Sequence, residues 1–246
     1  TLFPYTTLFR SWANTYGMAC LEYALGYWWT AFEDDDGNHF LRSSDFITWE
    51  PVTVTPSSIG SYPSVVANRA KTHVAFYSVS ASKTPYVSIF DGTSWTDYTL
   101  PTHTGLWDFN LCLDSNGRIH GFMFNGSSTV PRPVKYCNNV GGGFTTWITL
   151  PFSTDNQAAA YNLHADMDSN DRWHLASIVK NNVTQVWYLS YLSGTYFGWD
   201  TTWDHIPYTD ATTNDLALKV DSNGIVYVLH GACYSCTLWY GYRGRW

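Results

Sequence analysis

The chain has 246 residues, which is long enough for one sizeable domain with a buried core. Aromatic residues make up 18% of the chain and charged residues only 13%, a balance that favours an all-β protein with many short strands and turns. The net charge of −7, without any cluster of Lys and Arg, argues against a nucleic-acid partner, and no apolar run is long enough to span a membrane.

The first eleven residues, TLFPYTTLFRS, resemble translated synthetic DNA, because one reading frame of a common short-read sequencing adapter encodes them in this order. We therefore expect residues 1–11 to carry no evolved function. The natural sequence is then expected to begin at Trp12, in DNA from an assembled environmental or draft genome. Under this expectation the true N-terminus is missing, so the sequence carries no information about a signal peptide. The alternative is an ordinary first strand that pairs along an open sheet edge.

The predicted elements that follow are β-hairpins, which recur along the chain. The first two are MACLEYALGYWWTAF (18–32) and VVANRAKTHVAFYS (65–78). Three later hairpins align closely and share an Asp-Ser-Asn turn: LCLDSNGRIHGFMF (111–124), ADMDSNDRWHLASI (165–178) and LKVDSNGIVYVLH (218–230). We expect Asp114, Asp168 and Asp221 to cap their own turns. The alignment also predicts equivalent strand positions, with a packing role, for His73, His120 and His174.

Two further strands follow each hairpin. The third reads YVSIFDG, VKYCNN, VWYLSYL or LWYGYR, and the fourth carries Trp in TWEPVTV, SWTDYTL, TWITLPF or TWDHIPY. Four antiparallel strands repeating every 50 or so residues are typical of β-propeller blades. We predict one all-β domain over residues 12–246, a propeller of about five four-stranded blades at about 12–55, 56–101, 102–152, 153–208 and 209–246. Because the fifth unit stops after its third strand, we expect a fragment or a ring closed by an N-terminal strand.

The units resemble the BNR/Asp-box repeats of the sialidase-like superfamily, in LDSNGRIHGF…VKYCNN…GGGFTTW and in KVDSNGIVYVLH…LWYGY. The first unit, YWWTAFEDDDGNHFLRSSDFITWEPV, is also similar to the first blade of five-bladed glycoside hydrolases, through Ser44-Asp45-Phe46-Ile47-Thr48-Trp49. These resemblances imply a β-propeller that handles carbohydrate outside the cell or at its surface.

The catalytic signatures of both families are missing. The segment 43–49 is one residue short of an Asp-box and lacks its Gly, and no Arg-Ile-Pro occurs to begin a sialidase carboxylate clamp. A glycoside hydrolase needs paired carboxylates, but the three glutamates, Glu22, Glu33 and Glu50, all fall in the first unit and no Asp-Pro occurs. A sialidase-like or five-bladed glycoside hydrolase activity is therefore less favoured.

The candidate ligand face of a propeller comprises the loops between blades and between the second and third strands of each blade. Its polar and aromatic positions here include Tyr62, His103, Trp107, Asp108, Asn110, Tyr161, Asn162, His164, Asn214, Asp215 and His230. The three asparagines recur at equal spacing, which indicates a structural role. We predict that ligand is bound by Trp107, Asp108, Tyr161, His164 and Asp215, because aromatic rings stack on sugars and polar groups bond their hydroxyls. The alternative is that Trp107 and Tyr161 only fill gaps between blades.

The function predicted from these features is non-catalytic recognition of a glycan or polysaccharide, extracellular or at the cell surface. No cofactor or metal is expected, since the acidic turn DDDGN (34–38) lacks the spacing of a calcium loop. Cys233 and Cys236 are expected to form a local disulfide or to remain two free thiols.

Two alternative functions remain open. The first is a uronate polysaccharide lyase, in which His164, Tyr161, His103 or His230 removes a proton and Arg132 neutralises the uronate carboxylate. The second is a repeat scaffold for contacts with other proteins.

Overall fold

The computed structural model describes residues 20–34, 36–58, 60–125, 133–153, 159–180, 184–192, 195–200, 215–221, 223–232 and 237–243. Within these ranges the chain forms nineteen strands, no α-helix and one short 3-10 turn at Thr55–Ser58. None of its described segments is a helix long and apolar enough to cross a membrane.

The strands form five antiparallel sheets, each following chain order. The first sheet contains β1 (Cys20–Ala24), β2 (Tyr27–Asp34), β3 (Gly37–Ser43) and β4 (Glu50–Pro51). The second contains β5 (Ser61–Ala67), β6 (Val74–Val79), β7 (Pro85–Phe90) and β8 (Trp95–Thr99). The third contains β9 (Leu106–Leu113), β10 (Ile119–Asn125), β11 (Pro133–Asn138) and β12 (Ile148–Ser153). The fourth contains β13 (Ala159–Met167), β14 (Trp173–Lys180), β15 (Thr184–Leu192) and β16 (Thr195–Asp200), and the fifth contains β17 (Asp215–Val220), β18 (Val226–Ala232) and β19 (Thr237–Arg243).

Side-chain alternation and turn chemistry explain why the first hairpin forms. In β1, Glu22 and Ala24 are buried while Leu21 and Tyr23 face solvent, the two-residue period of a strand. The turn Leu25-Gly26 has φ values of 57° and 78°, which is the left-handed backbone that a two-residue hairpin requires.

The described residues divide into two compact units, with the boundary between Thr104 and Gly105. In the first unit, β5 of the second sheet packs on β1 and β2 of the first. Its core surrounds the fully buried Trp29, whose ring lies 5.9 Å from that of Phe76 and 6.2 Å from that of Trp95. The indole Nε1 donates to the carbonyl of Ala24 at 2.9 Å, so this buried ring keeps its polar group satisfied.

In the second unit, β13 packs on β9, and β17 packs on β13. Phe122 and Trp173 form the centre of its main core, with ring centroids 5.1 Å apart. Within each unit, the first strand of a later sheet therefore packs on the first strand of the sheet before it.

The all-β fold class with four-stranded antiparallel sheets, predicted from the sequence, is confirmed. The fifth sheet has three strands among the described residues. The native number of blades and the domain limits, including the separate origin of residues 1–11, stay predictions.

Two sequence expectations were wrong in detail. The fourth strand of the fourth sheet is Thr195–Asp200, not TWDHIPY, which lies outside the described residues. His73 precedes β6, and Ala75 occupies the strand position of His120 and His174. The reason is one extra turn residue: the backbone N of Asn68 bonds the carbonyl of His73, whereas that of Asp114 bonds the carbonyl of Arg118.

Candidate functional site

The Asp-Ser-Asn turns are structural caps, as the sequence predicted. Oδ1 of Asp114 accepts the backbone N–H groups of Asn116 and Arg118, both at 2.9 Å, and Oδ2 accepts Nε of Arg118 at 2.5 Å. Oδ1 of Asp168 and Oδ1 of Asp221 accept the two equivalent backbone N–H groups at the corresponding turns. Burial raises the pKa of Asp114, but bonds from His120 and Arg118 outweigh it and hold the pKa well below its usual range. These carboxylates are ionised and fully engaged, so they are poor candidates for ligand binding.

A second set of aspartate turns joins the third and fourth strands of the first two sheets. Oδ1 of Asp45 accepts the backbone N–H groups of Ile47 and Thr48, both at 2.8 Å. Asp91 makes the same pair of bonds with Thr93 and Ser94, again at 2.8 Å. The bonds from Thr48, then Ile47, lower the pKa of Asp45 to about 2. The Ser44–Trp49 segment singled out in the sequence is thus a turn stabilised by its own aspartate.

The first strands of the second unit are joined by polar side chains. Oδ2 of Asp108 on β9 accepts the backbone N–H of Leu163 on β13 at 2.5 Å. Asn110 repeats the contact two residues later, accepting from Ala165 at 3.1 Å. Oδ2 of Asp166 then accepts the backbone N–H of Val220 on β17 at 2.8 Å. The structural role expected for Asn110 is therefore confirmed.

Two of the predicted ligand residues, Asp108 and His164, have shifted pKa values. Burial of the carboxyl group raises the pKa of Asp108 to about 6, against the lowering effect of the Leu163 and Phe109 backbone N–H groups. Burial, with a smaller contribution from the nearby Lys219, lowers the pKa of His164 to about 4. These shifts favour an ionised Asp108 carboxylate and a neutral His164 imidazole at neutral pH.

The five predicted ligand residues all lie on first strands. Trp107 and Asp108 are on β9, Tyr161 and His164 are on β13, and Asp215 begins β17. The carboxylate of Asp108 is bonded to the backbone N–H of Leu163, the residue before His164 in the chain. The side chains of Trp107, Tyr161 and Asp215 lie outside the described part of the chain, so their ligand role stays a prediction.

Several other predicted groups fall outside the described residues or carry separate roles. Arg132, Asn214 and the Cys233–Cys236 pair are outside them, as are the side chains of Asn162 and His230. Cys20, Cys112 and Cys137 are thiols rather than disulfide sulfurs, and burial raises the pKa of Cys112 and Cys137. Among the described side chains, no group of three or more His, Cys, Asp or Glu could hold a metal ion.

The first unit contains a further candidate group that the sequence analysis did not place among its five ligand residues. Tyr62, near the start of β5, is 64% exposed, and its backbone N–H donates to Oε2 of Glu33 on β2 at 3.1 Å. Beside it, Asn38 donates from Nδ2 to the carbonyl of Gly60 at 3.1 Å. The β2–β3 turn and the connection into β5 thus meet at one end of the first unit. The sequence pattern places Tyr62 on the wider candidate ligand face, but it does not place Glu33 or Asn38 there.

The β2–β3 hairpin, which supplies Glu33 and Asn38, also carries ionisable and aromatic side chains. Nε2 of His39 lies 2.7 Å from Oδ1 of Asp34, and the His39 ring stacks on Phe32 at 4.9 Å. Burial raises the pKa of Asp34, but its bond with His39 outweighs this and gives a net lowering. An exposed phenol ring, carboxylates and an imidazole are groups that can stack on a sugar and bond its hydroxyls.

Comparison with solved structures shows a common fold at low sequence identity. The α-L-arabinanase of Penicillium chrysogenum in complex with arabinobiose has a TM-score of 0.60 and 10% identity, over 91% of this chain and 77% of the arabinanase chain. A polysaccharide lyase of family 25, an ulvan lyase bound to -[GlcA(1-4)Rha3S]-, has a TM-score of 0.59 and 12% identity, over 92% of this chain and 67% of its own. An α-L-arabinofuranosidase of Clostridium thermocellum has a TM-score of 0.53 and 13% identity, over 87% of this chain and 81% of its own.

These likenesses show that the chain has the architecture of propeller-type proteins. No protein-family model matches the sequence, and no curated protein matches it.

Proposed function

We propose that this protein is a carbohydrate-recognising β-propeller that acts outside the cell or at its surface and binds a glycan without cleaving it. Support for carbohydrate as the ligand comes from the fold. The similar structures include an arabinanase holding arabinobiose and an ulvan lyase holding a sugar fragment. Fold likeness alone is a weak argument for function, so the side chains carry the rest of the proposal.

The proposal that the protein does not cleave its ligand rests on the glutamates, because each of the three in the chain is already bonded to another group of the protein. Glu22 is buried, and Nζ of Lys71 lies 3.4 Å from its Oε2. Oε2 of Glu33 accepts the backbone N–H of Tyr62, and Oε2 of Glu50 accepts a hydrogen bond from Nε of Arg42, each at 3.1 Å. All three lie in the first sheet. A glycosidase needs an acid and a second carboxylate on either side of one bond, and none of these glutamates is arranged for that task.

A glycan array tests this proposal on the folded, full-length chain. We expect retention of one class of glycan, and no new reducing ends when the retained glycan is incubated with the protein. Failure to retain any glycan would contradict carbohydrate recognition. Release of reducing ends would contradict the non-catalytic part alone.

A second candidate function is a propeller-type carbohydrate-active enzyme. Asp108 favours it, because a carboxyl whose pKa is raised to about 6 keeps a protonated fraction near neutral pH that can donate a proton. His164, neutral at that pH, could serve as the base of a uronate lyase. Lyase action would appear as ultraviolet absorbance from a new double bond in a uronate polymer, and hydrolysis as new reducing ends. An Asp108→Asn variant that kept its fold but lost either signal would establish this alternative.

A further inference from the structure

Tyr62 combines high exposure with a costly backbone conformation. Its φ is 59°, in the left-handed region, and the pairing of β5 with β6 is irregular between Ser61 and Ser64. The left-handed backbone is unfavourable for any residue that has a Cβ, whereas glycine adopts it without this penalty. A turn that needed only the backbone shape would be served better by glycine. The presence of an aromatic ring at this strained position therefore suggests that the side chain itself has a function.

The surrounding residues hold that backbone in place. Gly60 has a φ of 81°, and a Cβ there would lie 2.1 Å from the carbonyl oxygen of Val79. Nδ2 of Asn38 donates to the carbonyls of Pro56 at 3.2 Å and Gly60 at 3.1 Å. With Glu33 on the N–H of Tyr62, these contacts determine the chain path. They leave the phenol ring in solvent at the end of the sheet.

We infer that Tyr62 is the stacking platform of a sugar-binding subsite that takes a neutral sugar ring. The apolar face of the sugar lies on the phenol ring, while the carboxylate of Glu33, which accepts the Tyr62 N–H at 3.1 Å, accepts a sugar hydroxyl group beside it. This inference rests on the proposed carbohydrate function and gives it a place in the first unit.

The charges near Tyr62 favour a neutral sugar over an anionic one. Glu33, Asp34 and Asp36 all belong to the end of the β2–β3 hairpin, in a chain of net charge −7. Lys83 lies in the β6–β7 turn, at the same end of the second sheet as Tyr62, and the imidazole of His39 is bonded to Asp34. A uronate or sulfated sugar on the phenol ring would meet this group of carboxylates and be repelled.

The test measures binding of sugars to the full chain by isothermal titration calorimetry. The probes are arabinobiose, xylobiose and cellobiose as neutral sugars and digalacturonate as an anionic one. We expect at least one neutral disaccharide to bind and digalacturonate to bind more weakly. Tyr62→Ala should weaken the neutral sugar about tenfold or more, whereas Tyr62→Phe should bind like the parent because it keeps the ring.

Two further variants separate loss of the subsite from loss of the fold. Tyr62→Gly removes the ring and the backbone strain together, so it should lose binding while unfolding no more easily than the parent. Ile47→Ala changes a 71% exposed apolar side chain in the β3–β4 turn, at the opposite end of the first sheet, and should leave binding unchanged.

The outcomes distinguish this inference from the proposed function. Unchanged sugar affinity in Tyr62→Ala would overturn the inference and leave carbohydrate recognition standing. Tighter binding of digalacturonate than of every neutral sugar would overturn the neutral ligand class. If the parent protein bound no disaccharide here and no glycan on the array, both proposals would fall together.

Discussion

The carboxylate of Asp108 accepts the backbone N–H of Leu163 at 2.5 Å and thereby joins the first strand of the third sheet to the first strand of the fourth. Sheets that pack face to face share no backbone ladder, so such side-chain bonds can fix how neighbouring sheets are aligned. Asn110 and Asp166 make further bonds of this kind. The same residue types would suit a ligand site, which is why their role has to be tested by substitution.

Replacing Asp108 should weaken the second unit. Asp108→Ala leaves the Leu163 N–H without its acceptor in a buried place, and we expect a loss of about 1–3 kcal/mol in the free energy of unfolding. Asp108→Asn keeps an acceptor oxygen and should lose less. Urea denaturation of both variants measures the difference, and equal stability of Asp108→Ala and the parent would show that the bond contributes nothing.

The raised pKa of Asp108 predicts a pH dependence of stability. Its pKa is about 6 in the folded chain against a usual value of 3.8, so the folded state binds this proton more tightly than the unfolded state. The resulting stabilisation is complete below pH 3.8 and is lost as the pH rises through about 6. The free energy of unfolding of the parent should therefore fall relative to that of Asp108→Asn over this window. Parallel pH profiles for the two proteins would contradict the assignment.

The capping aspartates should differ in importance because they differ in burial. Asp114 is 1% exposed and accepts three bonds, so Asp114→Ala should cost about 1–3 kcal/mol of folding stability. Asp221 makes the same backbone bonds with less burial, and Asp221→Ala should cost less. Thermal unfolding of the two variants side by side checks the order, and a larger loss for Asp221→Ala would reverse it.

Gly60 and Gly26 form a matched pair for testing the backbone near Tyr62. Both have positive φ, 81° and 78°, but an added Cβ at Gly60 would strike the Val79 carbonyl while one at Gly26 would meet nothing within 4 Å. We expect Gly26→Ala to cost about 1 kcal/mol from backbone strain alone. Gly60→Ala should cost clearly more, because the chain must also move. Chemical denaturation compares them, and equal losses would mean that the Gly60 contact relaxes freely.

The local parts of the fold could be predicted from the sequence because they depend on neighbouring residues. The Asp-Ser-Asn turns at Asp114, Asp168 and Asp221 carry their acceptor and both donors within five residues. The position of His73 was wrong because one extra residue in the Asn68 turn shifts the strand that follows. Sequence alignment without backbone pairing cannot reveal that shift.

The candidate site was harder to predict because its contacts join residues far apart in the chain. Glu33 bonds Tyr62 across 29 residues, and Asp108 bonds Leu163 across 55. Nothing in either local stretch marks its partner. The sequence identified Asp108 and His164 by residue type, but not the burial that shifts their pKa values in opposite directions.

The most direct test of carbohydrate recognition without catalysis is size-exclusion chromatography of the folded protein after prolonged incubation with arabinan, xylan or a uronate polymer, with light scattering to follow polymer length. We predict that the protein elutes with at least one of these polymers and that the length of the polymer does not change. Separate elution from all of them would contradict recognition, and a shortened polymer would show that the protein is an enzyme.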